Sequence, residues 1–525
     1  MLTTPIRGLV AQVNEADAAE GLRKTGDQMF ELNALIATAS SFYEKLRYMV
    51  DYRDEHTIRR NAIERILKRH TLIEGNSVHG DELLRELVNG RYLPKEEASE
   101  ALAEEMGIIA TRYIELGTRS KVRNSVMKQL LSFAATEIDS RLSPLHYALD
   151  EAVIKALFET LRGRIVAPAP ESKIDEQLFC AAWRALLSGD DERIAYALWQ
   201  QSVPGWVARK DTADIAPRVV QITEQVRAAL KDDLQWQIAP KIKNESIYFR
   251  IIRELVQDKK GVAADVLADK KEMEDYARTF LAQKYKKENE RIRSSGIRAV
   301  LYLFVTKVAV ALAVEVPYEL FFLGAVNTFA LGINILFHPL LLLLLTRRVG
   351  ELDNKNTEAI LAGLRAVIFD DDSIEQSEAS HATAVRKRAI GNRYPRLNVV
   401  FGVLYLILFM LVFGTVVLIL TSLGFDTVSI MLFLFFLALV SYFAFRIRYQ
   451  ARRWKVSSSN GVIGMLAVLL AVPVIETGRW LSQKFSSLNI FVLILDFIIE
   501  MPFKKILHFS DAFIFYLRDK AEEIQ

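Results

Sequence analysis

The chain has 525 residues, 51% hydrophobic and 25% charged, with a formal net charge of +3 and a mean hydropathy of +0.15. That mixture fits neither one water-soluble globule nor a pure membrane bundle, and it excludes collagen and long disorder. Residues 1–300 hold 46 Lys and Arg against 46 Asp and Glu, so the polar part has no net field to draw nucleic acid and no such partner is expected.

Residues 1–283 read as an all-α domain in water, because apolar side chains recur at three and four instead of alternating. One stripe runs Met29, Leu32, Ile36, Ala39, Phe42, Tyr43 and Leu46, and another Val126, Leu130, Leu131, Phe133, Ala134 and Ile138. Turn signals at Gly75-Asn76, Gly90 to Pro94, Ala167 to Pro170, Ser202 to Gly205 and Ala239-Pro240 suggest helical hairpins, and strand signals are nearly absent. The apolar patch from Leu9 to Val13 is shorter than the ~7–15 residues of a signal-peptide core and is followed by Glu15 and Asp17, so no cleaved leader is expected.

Signatures of enzyme chemistry are missing from this domain. Gly75 and Gly80 have Walker spacing, but Asp81 stands where a phosphate-binding lysine would be needed. The histidines at 56, 70, 79, 146, 338, 381 and 508 lack metal-ligand spacing, and Cys180, the single cysteine, provides no thiolate set. No metal and no cofactor is expected, and the reading leans away from an enzyme. Cys180, beside Leu178, Phe179, Ala181 and Trp183, reads as a buried structural thiol. Asp370 to Asp372 reads as a solvated turn and helix cap, and His508 with Asp511 as a solvated helix face.

Lys271 to Arg293 predicts a long helix that leads to the membrane domain, residues 284–525. Lys284, Lys286, Lys287, Arg291, Arg293 and Arg298 form a basic collar, a topology signal and headgroup anchor in which each cation gains ~1 kcal/mol near anionic lipid. Ser294-Ser295-Gly296 is expected to be a flexible joint.

Uncharged runs then predict membrane spans, since ~20 apolar residues cross the hydrocarbon and a central charge costs ~2.5–3.5 kcal/mol. The expected spans are 299–316, 324–346, 397–420, 427–445, 456–475 and 488–503, with a turn at Pro317–Leu323 and a loop at 347–396 that includes a helix from Asn356. Four spans plus a re-entrant or interfacial hairpin is the alternative. Arg347, Arg348, Arg386, Arg388, Arg446 and Arg452 alternate with turns that hold no Lys or Arg, which puts both termini in the cytoplasm. The expected site is a bacterial cytoplasmic membrane, with an organellar inner membrane as the alternative.

Six intramembrane polar residues are candidates: Lys307, Glu315, Asn334, His338, Asp496 and Glu500. On an ideal α-helix Lys307 and Glu315 lie ~12 Å apart along the axis and ~80° apart around it, so they share a seam without pairing. Asn334 and His338, four apart, share a face at a similar depth, and His338 precedes Pro339.

The leading functional expectation is a membrane-anchored helical scaffold or adaptor, with the bilayer as one partner and another protein or a second copy bound through the cytoplasmic helices. The alternative is a channel or transporter, or a subunit of one, whose polar residues line a path.

Overall fold

The structure, a computed structural model, describes residues 2–23, 58–74, 78–187, 189–208, 213–347, 354–369, 388–389, 398–452, 454–456 and 462–487. These residues are almost entirely helical, and the chain divides into two compact units at Asp265/Val266.

The first unit contains α1 (Thr4–Arg23), α2 (Ile58–Lys68), α3 (Gly80–Asn89), α4 (Glu100–Arg119), α5 (Asn124–Leu142), α6 (Pro144–Leu161), α7 (Glu171–Leu187), α8 (Asp191–Ser202), α9 (Val219–Lys231), α10 (Leu234–Ile238) and α11 (Lys243–Lys259). The stripe from Val126 to Ile138 lies on α5 and is buried throughout. The stripe from Met29 to Leu46 and the glycine at 75 lie outside the described residues. Helices α3 and α4 touch backbone to backbone, since a Cβ on Gly80 would lie 1.8 Å from the Ala103 carbonyl oxygen. Among the described residues the only sheet is a two-residue parallel pairing of β1 (Ile165–Val166) with β2 (Arg388–Ala389).

Charged side chains inside this unit are paired. The Asp150 carboxylate is 1% exposed and accepts from Arg193 at 2.9 Å and Arg253 at 2.7 Å. Burial pushes its pKa up, but Arg253 and Arg193 outweigh that and hold it below the usual carboxylate value. Tyr113 donates to Glu137 at 2.7 Å and accepts from Trp206 at 3.0 Å. Cys180 is fully buried, and burial pushes its thiol pKa up to about 12.

Across the division lies α12 (Ala263–Ala268), and the second unit is led by α13 (Lys270–Val310). Asp269 caps α13 by accepting from the backbone of Lys271 and Glu272. The helix runs straight through Ser294, Ser295 and Gly296, so the expected joint is absent. One glycine costs ~1 kcal/mol in a helix, too little to break 41 residues of continuous hydrogen bonding.

Beyond Val310 the helix continues as a π turn at Ala311–Glu315, one α turn at Val316–Tyr318 and a second π turn at Glu319–Leu323. The expected turn at 317–323 is therefore helical, and the chain reverses after Gly324, whose φ is +77°. Pro317, which has no N–H to donate, sits between the two wide turns.

Then come α14 (Thr328–Arg347), α15 (Asn354–Ile368), α16 (Asn398–Ser422), α17 (Thr427–Arg452) and α18 (Val462–Ser487). Four stretches are long and apolar enough to cross a membrane: Lys270–Leu323, Thr328–Leu345, Gly402–Ser422 and Thr427–Ile447. Of the fifth expected span, 456–475, residues 462–475 lie on α18, which is not one of those four stretches, and the sixth, 488–503, lies outside the described residues. Large apolar side chains such as Leu301, Val305, Leu336, Leu344, Leu404 and Met410 point outward, as they do where the surrounding solvent is lipid.

Helix α14 packs on α13 and on α17, and α17 packs on α18. The last crossing is close: a Cβ on Gly478 would lie 2.0 Å from the Ala438 carbonyl oxygen. Small residues at such crossings let membrane helices approach closely.

Candidate functional site

Lys307 and Glu315 on the α13 helix, with Asn334 and His338 on α14, meet in one buried cluster. The Lys307 ammonium donates to Asn334 Oδ1 at 2.6 Å, and Asn334 Nδ2 donates in turn to Glu315 Oε1. Lys307 Nζ also lies 3.9 Å from Glu315 Oε1, so the two charges do pair. The π turn at 311–315 accounts for the departure from the expected seam. It accommodates one extra residue, which rotates Glu315 from ~80° off Lys307 to nearly in line with it.

The third wall is α17. Phe436 puts its ring under the ammonium, with Nζ 4.3 Å from the centroid, a contact worth up to ~2 kcal/mol when water is excluded. His338 is held between two carbonyls, with Nδ1 3.2 Å from the Asn334 oxygen and Nε2 3.0 Å from the Phe433 oxygen. A neutral ring supplies one N–H and an imidazolium two, so a second proton on this ring finds an acceptor already in place.

A residue absent from the sequence-derived set extends the cluster toward the turns. Glu319 is 2% exposed; its Oε2 accepts from the Asn327 backbone at 2.7 Å, and its Oε1 lies 3.5 Å from Ser429 Oγ. Asn327 Nδ2 donates to the Gly424 carbonyl at 3.0 Å, which ties the two hairpin turns together. Asp426 Oδ1 caps α17 at Val428 N. Glu319 was legible as the residue four after Glu315, on the same face, but it fell in the stretch read as a turn.

Two buried carboxylate oxygens, Glu315 Oε2 and Asp426 Oδ2, have no hydrogen-bond partner among the described residues. On the other side of Lys307, Leu303, Leu342, Val440 and Ala444 pack together with Val300 and Leu345 into an apolar plug. Asp496 and Glu500 lie outside the described residues.

The basic collar divides in two. Lys284 lies against the edge-to-face pair Phe280 and Trp454, 5.8 and 5.4 Å from their ring centroids. Lys286, Lys287, Arg291, Arg293 and Arg298 are exposed along α13. Beside Lys284, Asn356 at the start of α15 donates to Tyr285 Oη at 3.0 Å and to the Trp454 carbonyl at 2.9 Å, and accepts from Val456 N at 2.9 Å. Arg365 bonds Glu274 at 3.0 Å, and Arg278 bonds Glu358 at 2.6 Å. Together these clamp α15 to α13. Partial burial pushes the Tyr285 pKa up.

Among the described residues no three His, Cys, Asp or Glu converge as a metal site. No family model matches the chain, and no curated protein and no solved structure matches it.

Proposed function

We propose that the protein is a multi-pass membrane transporter or channel component whose working centre is the Lys307–Asn334–Glu315 chain, with its N-terminal helical unit in the cytoplasm. The observation that carries this reading is the ion pair itself, closed among three apolar helices. Hydrogen bonds between membrane helices average ~0.6 kcal/mol, whereas each ionised side chain at mid-bilayer costs ~2.5–3.5 kcal/mol. Packing alone is a poor reason to keep two such charges, and ionisable residues inside membrane spans mark ion or substrate pathways, proton relays, voltage sensors or ligand counter-ions. The collar and the arginines at the ends of α14 (Arg347) and α17 (Arg446, Arg448 and Arg452) support an orientation with the hairpin turns outside.

The test is reconstitution of the full chain into liposomes carrying a pH-sensitive dye, followed by an imposed potassium diffusion potential. Proton or cation flux well above that of protein-free vesicles supports the proposal, and flux equal to theirs removes it.

A second reading, a membrane-anchored scaffold, is favoured by the clamp of α15 on α13, which makes a stiff stalk above the bilayer. Recovery of a stoichiometric protein partner from detergent, without flux, would favour it.

A further inference from the structure

The charges around Lys307 do not balance. Glu315, Glu319 and Asp426 make three carboxylates against one ammonium, all on the turn side of Lys307: Glu319 stands one turn beyond Glu315, and Asp426 caps the α17 turn whose Ser429 lies 3.5 Å from Glu319 Oε1. Glu315 is 1% exposed and Glu319 2%, so water cannot screen them as it would on a surface. Glu315 Oε2 has no hydrogen-bond partner among the described residues. On the opposite side Leu303, Leu342, Val440 and Ala444 pack with Phe436 into the apolar plug, and Ala330, Leu420 and Phe425 form a second apolar cluster beside the turns. Among the described residues His338, on the α14 wall, is a further titratable group against the cluster.

We infer that the turn end is a proton entry, in which the half-buried Asp426 draws protons from the outer water and Glu319 passes them to Glu315, while the plug closes the collar end. This rests on the proposed function for its direction and adds the coupling ion and the side of access. A proton that arrives on the Glu319 carboxylate forms an O–H bond. Its transfer to Glu315 Oε2 breaks that bond, forms a new O–H and returns Glu319 to its ionised state. Neutral Glu315 then no longer holds the Lys307 ammonium by charge, and the pair that ties the α13 helix to itself and to Asn334 is loosened. The proton is preferred to a metal cation because, among the described residues, the carboxylates are not gathered into a coordination shell.

Cysteine accessibility tests the route in the full chain reconstituted in vesicles of known orientation. The native background is low because Cys180 is fully buried. Ser429 is as buried as Val440, 2% against 1% exposed, so only an open route lets Ser429→Cys react with an impermeant cationic thiosulfonate from the turn side at least tenfold faster than wild type, and Glu319→Gln should slow that reaction severalfold. Val440→Cys, in the plug, should stay unmodified from both sides. Ser429→Cys no more reactive than wild type, or Val440→Cys modified from the collar side, overturns the route.

A hydrophilic carbodiimide on the unmutated protein gives a second readout. Mass-spectrometric modification of Glu319 or Glu315 from the turn side alone supports the entry, and modification from the collar side alone overturns it. Lys307-dependent flux with an unreactive Ser429→Cys removes the route and leaves the proposed function. Turn-side reactivity without flux leaves the route and removes the transport reading.

Discussion

Lys307 Nζ and Asn334 Oδ1 are 2.6 Å apart across two apolar helices, and the amide that accepts from the lysine also donates to Glu315. Asn334→Leu removes both bonds while it leaves two buried charges behind. Breaking a buried pair by taking away one partner costs about 3–5 kcal/mol, and loss of the bridge should approach that. The expected result is a clear drop in the unfolding midpoint in detergent. Lys307→Met should behave likewise, whereas Lys307→Met combined with Glu315→Gln should recover part of the loss, because no charge is left unpaired. Additive losses in that double-mutant cycle would contradict the pairing.

Asn356 makes three hydrogen bonds that hold α15 to the stalk, two of them to the 454–456 segment. At ~1 kcal/mol for each net bond, Asn356→Ala should loosen α15 by about 2–3 kcal/mol, seen as faster hydrogen exchange of its amides. The Arg278–Glu358 pair is about half exposed on each side, so Glu358→Ala should change the same exchange by less than ~1 kcal/mol.

The pKa of Asp150 is depressed in the folded state by Arg253 and Arg193, against the opposing effect of burial. Its contribution to stability is therefore present above its unfolded pKa near ~3.9 and is lost as pH falls through the lower folded value. The first unit should weaken steeply below about pH 4. Asp150→Asn should flatten that acid limb and lower stability at neutral pH, both read from thermal unfolding against pH.

With its thiol held up to about 12, Cys180 is ionised in only about one molecule in ten thousand at pH 8. Iodoacetamide should therefore leave the folded protein unlabelled and modify it at the rate at which the first unit opens. Rapid labelling at pH 8 under native conditions would contradict the burial of this thiol.

Part of the second unit was legible because charges inside apolar runs stand out. Asn398–Ser422 and Thr427–Arg452 cover the third and fourth expected spans. Lys307, Glu315, Asn334 and His338 were found by the same contrast. Their pairing was not, because the π turns at 311–315 and 319–323 leave no mark in an α-periodic pattern and shift every face beyond them. Glu319 was missed because Pro317 marked a false turn, although it stands four residues after Glu315 on the same face. Ser294-Ser295-Gly296 misled in the other direction, since local propensity for a break is small against a long helix that packs on α14, α15 and α17. The clamp at Asn356 depends on partners 71 and 98 residues away, and no local pattern shows those.

Flux through the reconstituted full chain carrying Lys307→Met, compared with wild type in the same vesicles, tests the central claim most directly. The proposed function predicts that wild-type flux falls at least tenfold in this variant while the protein still reconstitutes as a folded helical membrane protein. Flux in Lys307→Met equal to that of wild type would contradict it.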